Sequence, residues 1–324
     1  MSLDAASLVE RRRLRRRASF WRVLAIALAG IAVVAIGWRF SGLVPGKHSA
    51  HIARVNLNGV ILGSDERQKM FEAIGKSGAK AMLIEIDSPG GGVTASEELY
   101  ADIRKVAETR PVVAVIGSVA ASGGYIAALA ADRIVSRETS LTGSIGVLAQ
   151  YPDLSGLLSN LGVKMEAVRS APLKAKPDMF APTTDAERAA LQSLIMDSFR
   201  WFKNLVAERR NLSGEKLDQV SDGRAFTGHQ ALGLGLIDEI GGEAQARDWL
   251  AANKDVPKDL PVRDWKPNDG ALGSFGFAQE AAAALADAAG FPAFAARIRA
   301  RGASSLDLHA LDGLLAIWHP SLQS

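Results

Sequence analysis

The chain has 324 residues, 48% of them hydrophobic and 23% charged. Those proportions belong to globular protein and exclude a collagenous, wholly disordered or polytopic membrane chain. It contains no cysteine, which excludes disulfides, thiolate metal sites and cysteine nucleophiles. The net charge of +3 is an end effect: seven arginines among the first 22 residues, against Asp4 and Glu10, give that segment +5 and leave the other 302 residues at −2. A basic tail of this kind suits nucleic acid, but the segment after it points to a membrane instead.

Residues 23–38 (VLAIALAGIAVVAIGW) run for sixteen residues without a charge. As a helix they span about 24 Å, and their flanks bring this near the roughly 30 Å hydrocarbon core of a bilayer. Arg22 and Arg39 are placed to reach the two head-group layers, and Trp21 and Trp38 suit the interfaces. The spacing therefore predicts a transmembrane anchor over 23–40, behind a basic cytoplasmic tail over 1–22. A cleaved signal peptide shares the layout, but no small-x-small cleavage site follows the apolar run. Residues 41–50 read as a tether, with His48 and His51 beside or within it. The positive-inside rule places the following chain outside the cytoplasm.

From there strands and helices alternate. A β-rich run covers 52–61, and helical spacing covers 65–76. Residues 81–87 (AMLIEID) form a continuous apolar run, as a strand covered on both faces would. A helix is predicted over 94–109, with Thr94 as N-cap and Glu97 completing a capping box. Strands follow at 111–117 and 133–136, separated by a short apolar helix over 122–131. A glycine-bearing turn and strand cover 142–147, and another strand is predicted at 164–169. Residues 185–210 carry the apolar stripe of a long helix. The alternation predicts an α/β fold with largely parallel pairing. After residue 257 the chain becomes rich in alanine and glycine, and 281–289 and 306–318 have the spacing of amphipathic helices.

Two strand-to-helix junctions carry the chemistry. Asp87-Ser88-Pro89-Gly90-Gly91-Gly92 lies where a buried strand ends, the position at which open α/β sheets bind ligands. Its glycines let the backbone approach a ligand and aim N–H groups at an anion, as an oxyanion hole requires; a tight structural turn has the same composition. Ser122, in GSVAASGGY, opens the next helix, where the dipole favours developing negative charge; a plain N-cap is the commoner task of such a serine. Activation of a serine needs a base. The five histidines (His48, His51, His229, His309, His319) stand in no triad-like setting, and there is no G-x-S-x-G. A serine–lysine pair is the alternative. Lys174 and Lys176, in SAPLKAKPDMF, are set among apolar residues and prolines, which favour the neutral amine a base must be.

Taken in order, DSPGGG, GSVAASGGYIAALAAD, TGSIGV, SAPLKAK and DGRAFTGHQALGLGLID resemble the signal peptide peptidase A family of serine–lysine peptidases, family S49. The resemblance covers about residues 50–255. It implies a ClpP/crotonase-like fold of repeated ββα units, and a single peptidase domain, over 51–256, followed by an Ala/Gly-rich extension over 257–324. By the match, Ser122 is the nucleophile, Lys174 the general base, and Ser144 the serine that orients the lysine. Gly91 is the oxyanion-hole donor, assisted by Gly123. The lysine motif departs from its usual SGxYK form, reading SAPLK here, and Lys176 stands as a rival two residues on.

The resemblance further implies a serine endopeptidase of the bacterial inner membrane, single-pass, with an extracytoplasmic catalytic domain. It would degrade remnant signal peptides and misfolded exported polypeptides, working as a homo-oligomeric ring in which serine and lysine come from adjacent subunits. No metal, nucleotide or other cofactor is implied, and no nucleic acid. A crotonase-like acyl-CoA enzyme would share the glycine oxyanion hole but leave Ser122 and the lysine without a task. A tethered scaffold with a dead site would share the anchor.

Overall fold

A computed structural model describes residues 49–267 and the backbone of a short strand at 315–317. The anchor predicted over 23–40 and the helix predicted over 281–289 lie outside the described residues. Among the described residues no helix is long and apolar enough to cross a membrane.

The chain enters through strand β1 (His51–Asn58), helix α1 (Asp65–Gly75) and strand β2 (Ala79–Ser88). A three-residue strand, β3 (Gly90–Gly92), runs straight into helix α2 (Val93–Ala107). Strand β4 (Val112–Ala121) leads to the short helix α3 (Gly123–Leu129), and β5 (Arg133–Ser136) and β6 (Leu141–Gly143) follow. The order β2-β1-β9 extends one side of the sheet, where β9 is Val262–Trp265. On the other side β4 has two parallel neighbours in succession. Its Val113–Ile116 segment pairs with β5, and its Val119–Ala121 segment pairs with β6. The sheet therefore splits along the length of β4, and the second half of β4 leads to Ser122.

The apolar runs of β2 and β4 are continuous because both faces are covered. Met82, Ile84 and Ile86 of β2, with Val112, Ala114 and Ile116 of β4, join the larger core with α1, α2 and α3. The alternate residues Ala81, Leu83, Val113 and Val115 join a second cluster with Ala246 and Leu250 of α8 (Glu243–Lys254). The mixed α/β sheet expected from the sequence is present, and it is mainly parallel; β6 pairs antiparallel with β7 (Ala225–Thr227). Helices α4 (Ser155–Asn160), α5 (Asp185–Arg210) and α6 (Gly214–Val220) lie between β6 and β7, and α7 (Gly228–Gly233) and β8 (Glu239–Ile240) lie between β7 and α8.

Four local expectations differ from the structure. Helix α2 starts at Val93 with Gly92 as its cap and no side-chain cap bond. Strand β3 leads into it without a break, and the hydroxyl of Ser96 donates to the Gly92 carbonyl at 2.8 Å, so Thr94 lies inside the first turn. Residues 164–169 form no strand; among the described residues they pair with no other segment, and Val168 is fully exposed, so their backbone gains nothing from extension. His51 is the buried first residue of β1 rather than part of a tether. Its ring stacks on Trp265 with centroids 6.0 Å apart, and its Nε2 accepts from the Trp265 Nε1–H at 3.1 Å. Finally, Leu315–Ile317, expected to be helical within 306–318, form strand β10.

Helix α3 has only seven residues and is apolar throughout, so its orientation depends on its ends and on one side chain. Arg209 of α5 donates to the carbonyls of Leu129 and Ala131 (2.8 and 2.9 Å), and Arg104 of α2 donates to that of Ala130 (2.9 Å). Cations thus satisfy the carboxyl end of the helix. Within it, fully buried Tyr125 donates its hydroxyl to the Leu236 carbonyl at 2.7 Å. Removing one partner of a buried hydrogen bond costs about 1–3 kcal/mol. Tyr125→Phe is therefore expected to lower stability by that amount in urea unfolding. An unchanged midpoint would show that this bond does not hold α3 in place.

Candidate active site

Gly90-Gly91-Gly92 is built as an edge. The Ser88 hydroxyl donates to the Gly59 carbonyl at 2.6 Å and accepts the Gly90 N–H at 3.1 Å. The Gly59 N–H donates to the Asp87 carbonyl at 3.0 Å. The Ile61 N–H then donates to the Gly90 carbonyl (2.8 Å), and the Gly92 N–H donates to the Ile61 carbonyl (3.1 Å). Backbone groups of successive strand residues point to opposite sides. With Gly90 and Gly92 bonded to Ile61, the N–H and C=O of Gly91 face away from it, toward the other edge. A Cβ at Gly91 would lie 2.0 Å from the Ile61 carbonyl oxygen. Only glycine permits this approach.

Ser122 stands at the turn between β4 and α3, with φ 55° and ψ −116°. A positive φ in a residue with a Cβ costs of order 1–3 kcal/mol and persists only where the surroundings enforce it. They do so here from three directions. The Ser122 N–H donates to the Gly143 carbonyl at 2.8 Å. Its own carbonyl accepts the N–H groups of Tyr125 and Ile126 (2.9 and 3.0 Å). Gly124 packs so closely on β2 that a Cβ there would lie 2.6 Å from the Ser88 carbonyl oxygen. The Ser122 side chain makes no capping bond to α3, so the N-cap task does not account for this serine. Gly123 is the first residue of α3, and first-turn N–H groups have no partner within their own helix.

Ser144 follows Gly143 directly and also has a positive φ, 51°. Its N–H donates to the Arg224 carbonyl at 2.9 Å. The bond from Ser122 to Gly143 thus places these two serines on adjoining backbone segments. The Thr142 hydroxyl, donating to the Ala120 carbonyl at 2.8 Å, fastens β6 to β4 just before the turn. Gly91, Gly123, Ser122 and Ser144 are therefore brought to one end of the sheet.

The lysines are not brought there. Lys174 is exposed, and no hydrogen bond joins it to Ser122, which is buried. Lys176 is engaged elsewhere. Its Nζ lies 3.0 Å from Asp178 and 3.5 Å from Glu187. Glu187 is buried and forms the capping box of α5 with Thr184. Asp178 also accepts from Arg169 at 2.7 Å. Sequence reading missed these carboxylate partners, although Asp178 stands two residues from Lys176. It also missed Ile61 and Ser88, whose roles are carried by backbone geometry with no residue-type signature.

The Lys176 hydrogen bond, with help from the Phe180 N–H, holds the Asp178 carboxyl below the ordinary carboxylate range. A lowered folded-state pKa contributes stability above the unfolded value of about 4 and loses it as pH falls through the folded value. Lys176→Met is therefore expected to lower the urea midpoint at neutral pH and to have little effect in acid, where the carboxyl is protonated in both proteins. A penalty of equal size at both pH values would contradict the ion pairing.

Comparisons with known proteins identify the family. The sequence profile of Peptidase family S49 matches residues 104–257. A protein of Synechocystis sp. ascribed protease activity by inference is 38% identical over 222 residues, 67% of this chain and 80% of the relative. A protein of Enterococcus faecium, assigned by inference as signal peptide peptidase SppA, is 32% identical over 242 residues, 69% of each chain. The chloroplastic serine protease SPPA of Arabidopsis thaliana is 36% identical over 186 residues, 56% of this chain and 27% of the relative. With the profile and these relatives in agreement, the chain belongs to peptidase family S49 and is a serine protease hydrolase.

Proposed function

We propose that this hydrolase uses a Ser122–Lys174 dyad to cleave remnant signal peptides and misfolded exported polypeptides at a membrane to which residues 23–40 anchor it. The observation that carries the reading is the enforced conformation of Ser122. It sits at φ 55° without a capping task, at the head of α3, which packs against β3, and one hydrogen bond from the segment bearing Ser144. The order β2–β3–α2 fits the ββα unit of a ClpP/crotonase-like fold.

In the proposed reaction, neutral Lys174 takes the proton of the Ser122 hydroxyl as the oxygen attacks a peptide carbonyl. The oxyanion is held by the N–H groups of Gly91 and Gly123. The ammonium of Lys174 then protonates the departing amine, and water, deprotonated by the same lysine, releases the acyl group. Ser144 orients the amine. Loss of one oxyanion donor would cost about 10²–10³ in rate.

A lysine acts as a base only when burial or neighbouring charge removes its proton. Lys176 is occupied by its ion pairs with Asp178 and Glu187, which supports Lys174 as the base. Lys174 is exposed in the single chain, so its desolvation requires a neighbour. The same stretch exposes Leu157, Leu161, Val163, Met165, Val168 and Leu173. Contiguous apolar exposure of this kind marks an interaction surface, and it supports a homo-oligomeric ring in which Lys174 enters the site of the adjacent copy.

Turnover of an unfolded protein or a signal-peptide substrate by the detergent-solubilised full chain tests the roles. Ser122→Ala and Lys174→Ala are each expected to lose at least about 10³-fold in kcat, on the scale of other nucleophile–base pairs. Lys176→Met is expected to keep activity at temperatures where it remains folded. Wild-type turnover in Ser122→Ala would overturn the reading. Full activity in Lys174→Ala, with none in folded Lys176→Met, would transfer the base to Lys176.

A further inference from the structure

The aspartate that opens DSPGGG takes no part in the proposed oxyanion edge through its side chain. Asp87 is instead the pivot of an irregularity between β2 and β4. Ile86 lies opposite Ile116, yet Ser88 lies opposite Ala120. Asp87 alone therefore faces Gly117, Ser118 and Val119, and β4 gains two residues over its neighbour. The change of partner falls at the same place: β4 pairs with β5 as far as Ile116 and with β6 from Val119. A bulge leaves backbone groups without ladder partners, and here side chains take them. The Asp87 carboxylate accepts the Val119 N–H at 3.2 Å. The Ser140 hydroxyl, one residue before β6, donates to the Gly117 carbonyl.

We infer that Asp87 is a positioning residue for the nucleophile: its carboxylate holds the β4 bulge that sets where Ser122 stands relative to the glycine strand. This rests on the proposed role of Ser122 and deepens it. Side-chain patterning guards a strand against a slip of one residue, which would turn its core face to solvent. It does not guard against a slip of two, because alternate residues share a face. Ile116 and Ala120 both join the larger core, so the bulged pairing and a straight one bury the same face of β4. At roughly 3.3 Å per residue, straight pairing would displace Ser122 by about 7 Å along β4 relative to β3. The side chains in the bulge therefore select the pairing that the apolar pattern leaves open. Asp87 acts on both strands at once, since its own carbonyl accepts the Gly59 N–H at 3.0 Å beside the start of β3.

A role of this kind acts on the reaction more than on binding. Asp87 is exposed and belongs to neither core cluster, so its loss leaves the packing of the sheet in place and frees the bulge. A displacement of about 1 Å at a reacting atom can cost on the order of 10²-fold in rate. Asp87→Ala is therefore expected to lower kcat by roughly tenfold to a hundredfold, with KM within about twofold of the parent. Asp87→Asn keeps an oxygen that can accept the Val119 N–H and is expected to hold kcat within about threefold of the parent. Ser140→Ala frees the other anchor of the bulge and is expected to lower kcat in the same way as Asp87→Ala.

The test uses the detergent-solubilised full chain and reads turnover of an unstructured peptide, with Asp87→Ala, Asp87→Asn and Ser140→Ala compared with the parent. A second readout separates positioning from general stability. Lys174→Ala chains, which supply Ser122, are reassembled with Ser122→Ala chains, which supply Lys174, and Asp87→Ala is placed in one or the other. The loss is expected only when Asp87→Ala lies in the chain that supplies Ser122. Parent kcat in Asp87→Ala, a loss in Asp87→Asn as large as in Asp87→Ala, or an equal loss in both mixed combinations would overturn the inference and leave the dyad standing. A mixture that is inactive even with Asp87 intact would overturn the shared site, and the kcat-against-KM split and the asparagine rescue in otherwise wild-type chains would then decide the inference. Wild-type turnover in Ser122→Ala would overturn the nucleophile, and the inference with it.

Discussion

The contact on which the site depends is the approach of one glycine to one isoleucine. Gly91 lies so near the Ile61 backbone that no Cβ fits between them. The two hydrogen bonds across that contact consume Gly90 and Gly92, and alternation of the strand then aims the Gly91 amide outward. A second close approach, Gly124 on Ser88, brings α3 onto the same turn. Ser88 serves both contacts, since its hydroxyl ties Gly59 to Gly90. The DSPGGG and SGGY motifs are thus two halves of one packing problem, and their glycines are there because backbones meet.

Ser122 bears the consequence. With α3 held at its carboxyl end by Arg209 and Arg104 and at its amino end by Gly124 against Ser88, the link from β4 has little freedom. A positive φ results at the one residue between them. The Gly143 carbonyl fixes the Ser122 amide, and Thr142 fixes β6 to β4. The proposed oxyanion donors, the proposed nucleophile Ser122 and Ser144 are therefore all positioned within a single chain. The proposed base belongs to a different part of the molecule. Lys174 lies on an exposed stretch with apolar side chains turned to solvent, and its chemistry requires the burial that a neighbouring copy would provide. On that reading, assembly switches on the reaction by removing water from an amine.

The sheet was legible in the sequence because both-face burial makes β2 and β4 continuous apolar runs, which a helix of that length would not need. The two glycine-rich junctions were legible for a related reason: close backbone approach leaves a residue-type signature. Other features left none. Nothing in the residue types announces the φ of Ser122 or the bonding of Ile61, because backbone atoms of any residue serve. Residues 164–169 have strand-forming side chains but pair with no other described segment, and pairing is a property of the partner as much as of the segment. Residues 315–317 invert that case. Their apolar spacing suits a helix, yet the vacant outer edge of β3 supplies the partner that makes them a strand. Lys174 and Lys176 are alike by composition, and only the carboxylates around Lys176 tell them apart.

Subunit mixing tests the central claim most directly. Purified Ser122→Ala and Lys174→Ala chains, each inactive alone, are dissociated, combined and reassembled, and peptide turnover is measured. If Ser122 of one copy is activated by Lys174 of the next, the mixture regains turnover that neither variant has. If serine and lysine must come from one chain, or if Lys174 is not the base, the reassembled mixture stays inactive while reassembled wild-type chains, treated identically, recover.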